Sequence, residues 1–248
     1  MEWEDKLIKA LEESISEVPE PAGVLFSGGL DSSLLAFLLH RIGKEIHLYS
    51  SCTSESHDVE WAPRAAELLG LRTDMIIKTD QQAIDGISEL KARTGETNPL
   101  MLLIEIPLYF ISQDASESLL LTGQGADELF LGYKKYEKDD TSRTDIRKVL
   151  DSVIPLEERI ASLGGKKMIY PYVNEKIVEL ASNIPNDLKL RDGSRKYILR
   201  SAASKVNLSG EIAWKQKKAA QYSSGFKDAI ERAARRRGRS LHEFISEL

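Results

Sequence analysis

The segment best equipped for chemistry is Ser27-Gly28-Gly29-Leu30-Asp31-Ser32-Ser33. Two adjacent glycines let the backbone turn tightly and approach an anion closely. Their N–H groups, with those of a helix opening at Leu30 or Asp31, can point at one phosphate. The hydroxyls of Ser27, Ser32 and Ser33 add donors. Asp31 would repel a bare anion, but it fits where a divalent cation bridges it to phosphates. The Walker spacing, GxxxxGK followed by Ser or Thr, is absent, and so is GxGxxG. The plainer alternative is a tight Gly-Gly turn capped by Asp31.

A second segment, Thr122-Gly123-Gln124-Gly125-Ala126-Asp127-Glu128-Leu129-Phe130-Leu131-Gly132-Tyr133, again combines close-approach glycines with carboxylates. A shared site for Mg²⁺ and pyrophosphate would explain both Asp31 and Asp127. Acids in the first turn of a helix, favoured by its dipole, are the plainer reading.

The elements that must position these loops follow from periodicity. Trp3, Leu7, Ala10, Leu11, Ser14 and Ile15 predict an amphipathic helix, ended by Pro19 and Pro21. Residues 22–26 form a short apolar run, predicting a strand buried on both faces. Helix 31–42, strand 45–51, helix 58–69, strand 73–78 and helix 80–93 follow. Asn98-Pro99 predicts an N-cap with proline at the first helical position, opening an apolar helix to about residue 114, bent near Pro107. Residues 118–122 are the fourth strand. This alternation predicts an α/β fold with a doubly wound parallel sheet. The first loop would then lie at the carboxyl edge of the sheet, where ligands bind in such folds. Beyond about residue 140 the pattern becomes helical (149–163, 173–184, 196–205, 226–237), with no convincing strand. The expected division is a nucleotide-binding sheet domain over 1–140 and a helical region over 141–248.

The first loop resembles the SGGxDS loop of ATP pyrophosphatases, which cut ATP between its α- and β-phosphates. With the second segment the resemblance narrows to the synthetase domain of the asparagine synthetase family, whose second motif reads close to SGEGxDELFGGY. Tyr170-Pro171-Tyr172-Val173 with Ile177-Val178-Glu179-Leu180-Ala181 is similar to that family's VPFLD and VELA stretch. Lys196-Tyr197-Ile198-Leu199-Arg200 resembles KYLLR, and Trp214 to Lys218 followed by Ser223-Ser224-Gly225 resembles a further family segment. The resemblance implies an adenine nucleotide alpha hydrolase-like sheet with a C-terminal helical region. It implies a ligase that adenylates a carboxylate with ATP, releases pyrophosphate, and forms an amide with ammonia or an amine. Aspartate is the family's carboxylate. By position, Ser27, Gly28, Gly29, Asp31 and Ser32 would hold pyrophosphate, and Leu25 and Gly123 would line the nucleotide pocket. Asp31 and Asp127 would hold Mg²⁺, and Lys217 would neutralise charge on the departing phosphates.

Three departures limit the transfer. The family's asparagine synthetases carry an N-terminal glutaminase domain with cysteine at position 2. Here Glu2 stands there and only 26 residues precede the loop, so the expectation is a synthetase half alone, using free ammonia, an amine, or a separate glutaminase subunit. Gln124 replaces the family's Glu; an amide can hydrogen-bond but cannot act as a base. Leu131 replaces a glycine.

His40, His47, His57 and His242 lack metal-ligand spacing, and Cys52 reads as a packed thiol. Glu105 interrupts an apolar helix and reads as a solvated face, with the substrate pocket as the alternative. Tyr133, Tyr136 and Tyr222 are candidate pocket residues. The arginines at 232, 235, 236, 237 and 239 read as a solvated helix end rather than an RNA contact. The net charge of −5 argues against general nucleic-acid binding, and the one cysteine excludes an internal disulfide framework and suits a reducing cytoplasm. No apolar run is long enough to span a bilayer. An RNA-modifying ATP pyrophosphatase and a non-catalytic nucleotide-binding module are the competing functional classes.

Overall fold

In the computed structural model, which describes residues 2–139, 141–215 and 223–248, five parallel strands form one sheet. The elements run α1 (Trp3–Ser16), β1 (Ala22–Leu25), α2 (Leu30–Arg41), β2 (Ile46–Thr53), α3 (Asp58–Leu68), β3 (Thr73–Lys78), α4 (Asp80–Thr94), α5 (Pro99–Asp114) and β4 (Leu119–Leu121). Then come α6 (Ala126–Leu129), α7 (Ser142–Lys148), α8 (Ile154–Leu163), β5 (Lys167–Ile169), α9 (Glu175–Asn183), α10 (Asn186–Lys189), β6 (Leu190–Arg191) and β7 (Ser194–Arg195). The last are α11 (Tyr197–Lys205), α12 (Gly210–Ala213), α13 (Phe226–Arg236) and α14 (Leu241–Glu247).

The strand order is β3-β2-β1-β4-β5, and every pairing in this sheet is parallel. The chain winds outward from β1 through β2 to β3, then returns to the other side of β1 as β4. The switch point therefore lies between β1 and β4. A doubly wound sheet binds its ligands beyond the carboxyl ends of the strands at such a point. The two glycine-bearing segments leave β1 and β4 there.

Alternate side chains on each strand enter different cores. Leu48 and Leu121 belong to one apolar cluster, with α1, α2, α3, α9 and α11; Tyr49 and Leu120 belong to another, with α4, α5, α8, α13 and α14. Because successive strand residues face opposite sides, these clusters lie on the two faces of the sheet, which explains its continuous apolar runs. The Asn98 side chain caps α5 by accepting from the Leu100 N–H, and α5 continues as one helix through Pro107.

The expectation of no strand beyond residue 140 is corrected. β5 pairs with β4 as the sheet's fifth strand, and β6 and β7 form a two-stranded ribbon. Three residues carry too little alternation to announce a strand; pairing with β4 makes it one. Residues before and after 140 contribute to both apolar clusters, and polar contacts also join them. Ser201 donates to Glu4 at 2.9 Å, and Lys205 pairs with Asp5 at 2.7 Å. The expected 149–163 helix begins as a π-helical stretch, Val149–Val153, before α8. Among the described residues no helix is long and apolar enough to cross a membrane.

Candidate functional site

The loop after β1 turns at Gly28, where φ is +66°, and a Cβ there would meet Trp61 Nε1 at 2.7 Å and Ala65 Cβ at 2.8 Å. Glycine is thus demanded twice, by the left-handed backbone and by the approach of α3. Trp61 Nε1 donates to the Gly28 carbonyl at 2.9 Å and pins the turn. The Ser27 hydroxyl accepts from the Gly29 N–H at 3.3 Å, and the hydroxyls of Ser27 and Ser32 are 3.4 Å apart. α2 starts immediately after Gly29, with no side-chain cap, so its first-turn amides open toward the loop. Ser33 differs from the expectation: it is fully buried in α2 and lines neither cavity at the site, so it offers no donor.

The loop after β4 comes within contact of the first. A Cβ on Gly123 would lie 3.0 Å from Asp31 Cβ and 3.4 Å from the Ser32 nitrogen. Asp31 and Asp127 are then joined by a residue from far along the chain. Lys196 Nζ sits 2.7 and 2.8 Å from the two Asp31 oxygens and 2.8 Å from Asp127 Oδ1. Burial alone would depress the Lys196 ammonium, but the Asp127 and Asp31 charges outweigh it and hold its pKa above the usual lysine range. The helix predicted from Lys196 starts at Tyr197 instead: Lys196 itself is left-handed, with φ 56°. Gly132 makes room for this cluster, since a Cβ there would stand 1.9 Å from Asp127 Oδ1 and 2.3 Å from Lys196 Cε. Leu131, where a glycine stands in the resembling motif, is also left-handed at φ 56°, with its side chain 2% exposed.

Buried groups from later segments brace the two loops. The Tyr172 hydroxyl donates to the Asp31 carbonyl at 3.1 Å. Arg200 donates to the carbonyls of Arg195, Ala213 and Lys215 at 2.8, 2.6 and 3.0 Å, holding the stretch before residue 216 against α11. Ser224 carbonyl accepts from the Thr53 N–H at 2.9 Å, seating the 223–225 stretch at the end of β2.

Two cavities meet at this edge, and they differ in charge. One, of about 170 Å³, is lined by Ser27, Gly29 and Asp31 together with the cations Arg195, Lys196, Arg200 and Lys215. Lys215 Nζ lies 2.8 Å over the centre of the Trp61 ring. The other, of about 220 Å³, takes in Leu25, Ser27, Asp31, Ser32, Gly123, Gln124 and Asp127. The predicted nucleotide and phosphate residues are thus assembled, with Gly28 shaping the turn from behind. The Gln124 N–H donates to Thr122 Oγ1 at 3.3 Å.

Glu105 overturns the expectation of a solvated face. It is 4% exposed, and with Glu157 of α8 it lines the second cavity. Burial pushes the Glu105 carboxyl up to about 8. Burial also raises Glu157, and the Glu105 charge adds to it. Asp58 and Glu128 are raised, chiefly by burial.

Other candidates fall outside the site. Tyr136 donates to Asp145 at 3.0 Å and Tyr133 to Glu128 at 3.0 Å; neither lines a cavity described above. Arg232 forms a fork on Asp80 at 2.6 and 2.9 Å, Arg235 pairs with Glu231 and Arg239 with Glu247. Cys52 is fully buried, and burial raises its thiol. His47 pairs with Glu117, and His57 lines the cationic cavity 3.6 Å from Asp58. Lys217 and Tyr222 lie outside the described residues.

Sequence reasoning left Lys196, Arg200 and Tyr172 without roles, although all three belong to segments that carry the family resemblance. Glu157 had no signal: nothing in its local sequence separates it from the neighbouring Glu158.

The donor set suits a hard divalent cation. Mg²⁺ is commonly held by one or two carboxylates plus substrate phosphates, and Asp31 and Asp127 meet beside the phosphate loop. Among the described residues no cluster of three or more His, Cys, Asp or Glu forms an all-protein metal cage.

The family model for asparagine synthase matches residues 2–163 and 139–244. Putative asparagine synthetase 1 (glutamine-hydrolyzing) of Methanocaldococcus jannaschii is 28% identical over 92% of this chain and 51% of that protein. Asparagine synthetase B (glutamine-hydrolyzing) of Escherichia coli is 25% identical over 89% of this chain and 45% of its own length. The chain thus spans about half the length of these relatives. Among solved structures, NMN synthetase from Francisella tularensis superposes with a TM-score of 0.49 at 15% identity, covering 99% of this chain and 84% of that one. The family match runs past the two loops and through the Tyr172 and Lys196 segments that join them, and the chain belongs to the asparagine synthase family.

Proposed function

We propose that this chain is an ATP-dependent, AMP-forming amide ligase. The observation that carries the reading is the convergence of both loops at the switch point, with Asp31 and Asp127 joined by Lys196 between a cationic and an acidic cavity. A carboxylate oxygen of the substrate attacks the α-phosphorus of ATP, the bond to the bridging oxygen breaks, and pyrophosphate leaves. The nitrogen of ammonia or an amine then attacks the acyl-adenylate, loses a proton, and AMP departs with the bonding electrons.

The residues divide the work by charge. The amides at the start of α2 with Ser27, Gly29 and Ser32 hold the pyrophosphate portion, and the cations of the first cavity stabilise charge growing on the leaving group. Leu25 and Gly123 receive the nucleoside. Mg²⁺, held by Asp31 and Asp127, would supply Lewis-acid polarisation of the phosphates. Lys217 is proposed as a further catalytic cation. Gln124 orients the nitrogen donor by hydrogen bonding and leaves its proton to another group. Ammonia reaches the site free or from a separate glutaminase subunit, and the compartment that fits this chemistry is the cytoplasm.

Pyrophosphate–ATP exchange with Mg²⁺ and a panel of carboxylic acids tests this reading. Exchange dependent on a small carboxylate is expected. ATP binding without exchange would sink the ligase reading, and exchange that requires tRNA would move the protein to the RNA-modifying class. Asp31→Asn is expected to abolish exchange; undiminished activity there would remove Asp31 from the metal site.

A further inference from the structure

The two cavities carry opposite charge, and the acidic one holds a pair of buried carboxyls with no counter-charge among the described residues. Its lining includes five acids, Asp31, Asp58, Glu105, Asp127 and Glu157, and no lysine, arginine or histidine among the described residues. Three of these acids have cations elsewhere: Asp31 and Asp127 share Lys196, and Asp58 lies beside His57 and Lys215. Among the described residues Glu105 and Glu157 have none. Apart from the Tyr170 hydroxyl, the groups acting on Glu157 are all acidic: Glu105, Glu128 and Glu158. Both residues are at least nine-tenths buried, at 4% and 5% exposed. Glu105 Oε1 and Glu157 Oε2 have no hydrogen-bond partner among the described residues.

An unsatisfied buried carboxyl costs several kcal/mol at roughly the scale of a lost core side chain. Leucine at 105 would be far cheaper in an apolar helix such as α5. Two such groups, on α5 and α8, open into the cavity that also reaches Gln124 and the phosphate loop. A ligand bearing hydrogen-bond donors and positive charge would satisfy both oxygens at once.

The geometry points to a substrate that is a carboxylic acid carrying a protonated nitrogen on its side chain, an ammonium or a guanidinium beyond any α-ammonium, whose side-chain cation docks between Glu105 and Glu157 while its carboxylate faces the phosphate loop. This inference rests on the ligase reading and names its substrate class. Aspartate has no side-chain cation to draw the proton from either carboxyl or to pair with the anion left behind, so the pair also selects against it.

The test uses the full chain with Mg²⁺ and ATP. Lysine and arginine are compared with norleucine, which keeps the carbon chain and α-amine of lysine without its side-chain amine, and with aspartate and glutamine. A cationic acid is expected to drive pyrophosphate–ATP exchange at least about tenfold more efficiently than norleucine or aspartate. Glu105→Gln and Glu157→Gln, near-isosteric changes checked by circular dichroism, are expected to raise KM for the cationic acid while moving kcat less. In parallel, calorimetry measures binding of agmatine, a guanidinium with no carboxylate, to the wild type and to both variants.

Efficient exchange with aspartate or norleucine overturns the charge assignment and leaves the ligase standing. Agmatine binding that is lost in both variants, with no exchange for any acid, keeps the cation site and removes the ligase. Absence of both exchange and agmatine binding removes both. Weakened ATP affinity in Glu105→Gln, with unchanged preference among acids, places the pair at the nucleotide and overturns the inference.

Discussion

Replacing Glu105 by Gln should stabilise the protein, and by an amount that grows with pH. Burial raises the Glu105 carboxyl from 4.5 to about 8. Between those values the unfolded chain has lost this proton while the folded protein retains it. Stability therefore falls as pH rises, since the folded state binds more protons. The stability is fully present below the unfolded pKa and is lost as pH climbs through the folded one. At about 1.4 kcal/mol per pH unit, the displacement is worth roughly 5 kcal/mol when complete, with roughly 3–4 kcal/mol of it developing between about pH 5 and 8. Glutamine keeps the shape and abolishes the titration. Urea unfolding of wild type and variant at steps across that range gives the difference directly. It should be small at the acidic end and several kcal/mol in favour of the variant at the alkaline end. A difference that stays flat with pH would refute the burial argument. Because Glu105 and Glu157 repel, the double variant should gain less than the two single gains added together.

Lys196→Met strands two partly buried carboxylates and should cost about 3–5 kcal/mol; adding Asp127→Asn should restore part of it in urea unfolding, and no restoration would mean the lysine acts elsewhere. Gly132→Ala drives a Cβ to 1.9 Å from Asp127 Oδ1, so both melting temperature and ATP affinity should drop. Gly165→Ala, left-handed with nothing within 4 Å of the added carbon, should lower only the melting temperature, by the backbone strain of about 1–2 kcal/mol. Leu131→Gly relieves a left-handed residue worth about 1–2 kcal/mol but removes a buried leucine worth about 2–5 kcal/mol, so a net loss is expected. A more stable Leu131→Gly protein would show that strain outweighs packing there.

The local features were legible in the sequence because local physics decides them. The alternation of short apolar runs with 3.6-residue patterns announced β1 to β4 and α1 to α5. Gly28 and Gly29 announced a turn, and Asn98-Pro99 announced the start of α5. The strand-then-glycine order places Ser27 to Ser33 and Thr122 to Tyr133 at one sheet edge.

What the tertiary structure alone decided concerns groups brought together from distant positions. Lys196 reaches Asp31 across 165 residues, and no spacing rule predicts a pairing that depends on where α11 docks. β5 is three residues of ordinary composition that became a strand only because β4 offered an open edge. Leu131 shows no sequence sign of its left-handed backbone. Glu105 looked like a polar face on an apolar helix, and only the packing of α5 against the cavity turned it into a buried acid. Periodicity is a property of neighbouring residues, and it fixed the scaffold. Charge compensation is a property of a place in space, and the opposed signs of the two cavities existed only once the chain had folded around them.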